Sequence, residues 1–89
     1  MKFLATFLSS QHAIAIGKKM PSNVPFLIIP TPREIQSSCG IAMLISVDHS
    51  AILKKAIAKM KLSNDLFTLY RCEEIDGRMF YFIESIENI

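Results

Sequence analysis

The sequence predicts an α+β two-layer sandwich formed as a single domain over residues 1–89, and three observations carry that expectation. Short runs rich in Phe, Leu, Ile and Val recur at 2–8, 24–29, 41–47, 66–74 and 79–85, a length and composition that suit strands. Two intervening segments, 11–20 and the stretch between Asp48 and Ser63, place their apolar residues at helical spacing. With 89 residues and 51% hydrophobic content, the chain can bury one modest core, enough for two layers without disulfide or metal staples.

The first strand is "KFLATFL", with Phe3, Ala5 and Phe7 on one side and Leu4 and Leu8 on the other. Ser9 or Ser10 follows as a helix cap, and Ala13, Ile14, Gly17 and Met20 fall at i, i+1, i+4 and i+7. Lys18 and Lys19 occupy the last turn, where cations suit the helix dipole, and Pro21, Ser22 and Asn23 stop the helix. "VPFLII" is the second strand; Pro25 cannot donate to a ladder, so an edge position is expected. After the loop "PTPREIQSSCG", Ile41 to Val47 forms the third strand. Ser46 or Asp48 then caps a helix whose stripe is Ile52, Leu53, Ala56, Ile57 and Met60, with Lys54, Lys55, Lys59 and Lys61 toward water. Ser63, Asn64 and Asp65 end it, and the last two strands flank Asp76-Gly77, a hairpin signal.

This order, β-α-β-β-α-β plus one more strand, is the ferredoxin-like, split βαβ arrangement with an extra C-terminal β-hairpin strand. Right-handed crossovers place both helices on one face of the sheet and leave the other uncovered. Because the first strand is apolar on both sides, a second copy of the chain, making a homodimer, or a partner protein is expected over that face. The alternative is that the last strand, with Phe80, Tyr81 and Phe82, folds over part of it.

Ten basic and eight acidic residues leave a net charge of +2 with no run of like charge, and the aromatics are not interleaved with basic residues, so no nucleic-acid partner is expected. The apolar start "FLATFL" is broken by Ser9, Ser10, Gln11 and His12, which fits neither a signal peptide nor a membrane span, and no membrane partner is expected. Two cysteines are too few for a disulfide framework, which points to the cytoplasm and to reduced thiols.

Cys39 is the candidate for chemistry. A thiol with an ordinary pKa of about 8.5 is mostly protonated at neutral pH, and the reactive form is the thiolate. The loop supplies groups able to stabilise that anion: Arg33 as a cation, Ser37 and Ser38 as hydroxyl donors, and Gly40, whose missing side chain lets backbone N–H groups approach. Pro30 and Pro32 restrict the loop's entry. A packing role for a cysteine is the competing reading, and for Cys72, inside the strand "LFTLYRCEE", packing is the better one.

The segment "PREIQSSCG" after a strand, together with "ATF" in the first strand, resembles a family of small prokaryotic proteins described as selenium/sulfur carrier-like, over about the first 62 residues. The family's loop reads close to P-R-x-[IL]-S-S-S-C-G; Gln36 stands here in place of the first serine, while Arg33, Ser37, Ser38, Cys39 and Gly40 match. The resemblance implies that Cys39 carries sulfur or selenium as a persulfide or selenylsulfide. It also implies donor and acceptor proteins as partners, and a carrier more than an independent enzyme.

No cofactor or metal is expected. His12 and His49 lie far apart without ligand spacing, and Glu73, Glu74 and Asp76 suit a solvated turn. Two rival readings stand beside the carrier. One is a regulatory ferredoxin-like module that binds a small anion through Arg33; the other is a structural subunit of a larger complex.

Overall fold

One strand is covered on both sides. In β1 (Lys2–Phe7), every residue after Lys2 is buried, Leu4 completely so. The sheet is built outward from it in a computed structural model that describes residues 1–35, 39–61 and 67–84. β1 pairs antiparallel with β3 (Ile41–Ser46) on one side and β4 (Phe67–Ile75) on the other, with Leu4 opposite Leu44 and Tyr70. β2 (Phe26–Pro30) pairs with β3, and β5 (Arg78–Glu84) pairs with β4. The result is an α+β fold with a five-stranded antiparallel sheet, ordered β2-β3-β1-β4-β5, and two helices, α1 (Ser10–Lys19) and α2 (Ser50–Met60).

Both helices serve one face. Ala13 and Ile16 of α1 and Leu53, Ala56 and Ile57 of α2 share a core with Phe3, Ala5 and Phe7 of β1, Met43 and Ile45 of β3, and Phe67 and Leu69 of β4. Burying each Val-, Leu-, Ile-, Phe- or Met-sized side chain stabilises by about 1.5–3 kcal/mol, so this layer dominates the stability of the described chain. Gly17 allows the close approach of α1 to the sheet edge: a Cβ there would meet the Phe26 ring at 3.3 Å.

The α1 stripe differs from the one read in the sequence. Ile16 is buried, whereas Ile14 is 55% exposed, because the helix turns the Ala13–Ile16–Met20 side inward. Ser9 is the N-cap and its Oγ accepts from the His12 N–H at 3.3 Å, as the sequence suggests. α2 is capped instead by His49, whose side chain makes no cap bond, so neither Ser46 nor Asp48 has the expected part. Ser46 remains in β3. α2 ends on Lys61 in the left-handed conformation, and the stop expected at Ser63 to Asp65 lies outside the described residues. Leu8 lies beyond β1 and is exposed, and Val24 is buried ahead of β2 rather than within it. β2 is an edge strand, as Pro25 implied. At the β4–β5 turn, Asp76 and Gly77 have φ of 52° and 79°, the positive values a two-residue type I′ hairpin requires.

β5 does not fold over the sheet; it extends it, pairing with β4 from Leu69↔Glu84 to Ile75↔Arg78. The face away from the helices carries a smaller core of Leu4, Ile35, Ala42 and Cys72, edged by Ile29, Leu44, Tyr70 and Tyr81. Leu27 and Ile83, whose register places them on this face, are 65% and 76% exposed.

Leu53 is 1% exposed at the centre of the helix-side core. Leu53→Ala is expected to lower unfolding stability by about 2–5 kcal/mol, read as a lower urea midpoint with an unchanged slope.

Candidate functional site

The β2–β3 connection, residues 31–40, is closed at its base by the Thr31 N–H donating to the Gly40 carbonyl at 3.1 Å, continuing the Pro30↔Ile41 register. Inside it, the Ile35 N–H donates to the Pro32 carbonyl at 3.1 Å, forming a turn that projects Arg33 and Glu34 into solvent. Ile35 returns to the sheet and is buried against Leu4, Ala42 and Cys72 on the helix-free face. This single apolar residue in a polar segment anchors the loop. That contrast, one apolar residue in a polar loop, is the signal in the sequence for its role.

Cys39 sits near the other end of the loop. It is half-buried, packs against the helix-side core, and its Sγ–H donates to the Ile41 carbonyl at 3.2 Å. Gly40, at φ 73°, occupies the left-handed region that glycine accepts without strain, and it is exposed. Arg33, Cys39 and Gly40 therefore share one closed loop. Ser37 and Ser38, together with Gln36, lie outside the described residues. Thr31 adds a polar group that the sequence reading passed over: its Oγ1 is buried at the loop's base without a hydrogen-bond partner among the described residues. A threonine between two prolines at a strand end was the available signal.

Cys72 belongs to the opposite layer. It is buried beside Leu4 and Ile35, whereas Cys39 packs on the helix side, so the sheet lies between the two packing environments. Burial pushes the Cys72 thiol up, only partly offset by the positive charge of Lys2 across the strand pair. Tyr81, opposite Cys72 on β5, is likewise pushed up, first by burial and then by the charges of Cys72 and Glu34. The proximity of Glu34 places the loop's outer turn over the β5 end of this face, where Glu34, Ile35, Tyr70 and Tyr81 line an open groove. His12 Nδ1 lies 2.8 Å from Ser9 Oγ in the α1 cap, and His49 is exposed at the start of α2, so each histidine belongs to a helix terminus. Among the described residues, no three His, Cys, Asp or Glu side chains gather as a metal group.

These features define a small α+β domain that bears a cysteine at the end of its long strand-to-strand loop. Residues 2–67 match the family model described as "Putative Se/S carrier protein-like", and the chain belongs to that family. The matched span contains β1 through β3, both helices and the whole cysteine loop, and ends on the first residue of β4. No curated protein and no solved structure gave a match. No helix among the described residues is long and apolar enough to cross a membrane.

The two thiols should separate in alkylation. With iodoacetamide near pH 8, peptide mapping is expected to show Cys39 modified first and Cys72 protected until the protein unfolds. A thiol pKa raised by folding means that the unfolded chain loses its proton first as pH rises. The stabilisation from a neutral Cys72 is thus complete below about pH 8.5 and is lost above it. Cys72→Ala should flatten the decline of urea stability measured between neutral and alkaline pH.

Proposed function

We propose that the protein is a sulfur or selenium carrier that holds the chalcogen on Cys39 as a persulfide or selenylsulfide, receiving it from a donor protein and passing it to an acceptor. The observation that carries this reading is the placement of Cys39: a half-buried thiol at the end of a closed loop, within the span matched by the carrier family. The chain is a transfer partner more than an independent enzyme. A cytoplasmic setting is part of this reading, supported by a sequence with only two cysteines, too few for a disulfide framework. The scaffold is a single ferredoxin-like domain with an added hairpin strand. Supporting this, β3 lies between β1 and β2, and β1 lies between β3 and β4, with every neighbouring pair antiparallel.

The transfer balances without an external oxidant. The Cys39 thiolate attacks the terminal sulfur of a donor persulfide; the donor's S–S bond breaks, its cysteine leaves as a thiolate, and a new S–S bond forms at Cys39. An acceptor thiolate repeats the step and restores Cys39. In this reading the Arg33 guanidinium, the Ser37 and Ser38 hydroxyls and the Gly40 N–H stabilise the thiolate once the sulfur leaves the Ile41 carbonyl. A two-thiol relay through Cys72 is not part of this scheme, since Cys72 packs in the other layer.

Incubation with a cysteine desulfurase and cysteine, followed by intact-mass measurement, tests the proposal. A gain of about 32 Da is expected on the wild-type protein and on Cys72→Ala, and none on Cys39→Ala. Identical spectra for wild type and Cys39→Ala would remove the carrier reading. Arg33→Ala is expected to slow both loading and alkylation of Cys39 by about tenfold at neutral pH, and by less above pH 9, where the thiolate forms without help.

A further inference from the structure

The two edges of the sheet are protected very differently. β2 is bracketed by Pro25 and Pro30, neither of which has an N–H to offer another chain. β5 is seven residues long, contains no proline or lysine, and no strand among the described residues pairs with its outer edge. Between its charged ends lie five apolar or aromatic residues. Phe80 and Phe82 are each 39% exposed on the helix side, and Ile83 is 76% exposed on the other. An exposed apolar edge of this kind is a template for strand addition.

The sequence of β5, "RMFYFIE", is its own complement when read antiparallel about Tyr81. A two-fold axis through that point sets Arg78 against Glu84 of a second copy, Met79 against Ile83, Phe80 against Phe82, and Tyr81 against itself. Directly opposed residues share a face in an antiparallel pair, so each charge meets its opposite and each apolar residue meets an apolar one. We propose that two copies of this chain associate through β5, joining their sheets into one continuous antiparallel sheet of ten strands.

Arg78 is available for this pairing: it stacks over Phe80, 5.9 Å from the ring centroid, at the end of the strand. Glu84 already accepts from Arg71 Nη1 at 3.4 Å, and Arg71 stacks over Phe82 at 5.2 Å. A second guanidinium, from the other copy, would take up the carboxylate's remaining acceptor capacity. The occupant is a second copy rather than an unrelated strand because the charge at each end of β5 is matched by the opposite end of the same strand. The arrangement closes at two copies, since each β5 edge is consumed by the other. Cys39 lies on the β2–β3 loop and is not consumed by it, so the inference stands apart from the carrier reading.

Sedimentation equilibrium of the full chain tests it. The wild type is expected to be in reversible monomer–dimer exchange, and amide protection along β5 should rise with concentration in hydrogen exchange. Arg78→Glu and Glu84→Arg each place two like-charge pairs in a homodimer and should weaken self-association about tenfold or more. Mixed in equal amounts, the two variants restore both pairs and should form a heterodimer. A wild type that stays monomeric, a dimer whose β5 protection is independent of concentration, or variants that associate alone as tightly as when mixed would each overturn the proposal. The wild-type exchange data decide it even if Glu84→Arg, which also removes the Arg71 contact, folds poorly.

Discussion

The central strand β1 is the constraint on which the rest of the molecule depends. It is hydrogen-bonded on both sides and covered on both faces, with Phe3, Ala5 and Phe7 under the helices and Leu4 under Ile35. A strand in that position does not tolerate a register slip, since a shift by one residue exchanges its two sets of side chains between unlike cores. β3 and β4 take their register from it, and β2 and β5 take theirs from β3 and β4. The cysteine loop joins β2 to β3, so its closure at Thr31 and Gly40 is two pairing steps removed from Leu4.

The sheet has unequal layers, and the loop reaches both. Ile35 fills the helix-free side while Cys39 packs toward the helix side. Pinning a loop at these points lowers the entropy lost in holding its groups in one arrangement. The thiol itself is held at the Ile41 carbonyl, 3.2 Å from its oxygen.

Beyond the core, the hairpin β4–β5 carries exposed aromatic and long aliphatic surface, including Met79, Phe80, Phe82 and Ile83. Arg71 and Arg78 lie over two of those rings. The Arg71 ε-nitrogen is also within 3.4 Å of Glu73, at ion-pair distance but outside hydrogen-bond geometry, and at this exposure the pair contributes little.

The sequence alone determined the order of elements, the edge position of β2, the Asp76-Gly77 hairpin and the loop with Arg33, Cys39 and Gly40, because each depends on local chemistry: strand-length apolar runs, helical spacing, proline's missing N–H and glycine's freedom at positive φ. Even there, local periodicity left α1 ambiguous. Ile14 and Ile16 are both apolar, and only the packing against Met43 and Phe3 in one core selects Ile16. Likewise, the capping of α2 by His49 rather than Ser46 followed from the length of β3, whose last residue is held by pairing with Lys2. Tertiary structure alone decided that β5 extends the sheet, that Ile35 anchors the loop, and that Cys39 and Cys72 belong to different layers. Those outcomes depend on contacts between residues distant in sequence, and no local pattern encodes which of two apolar faces such residues will meet.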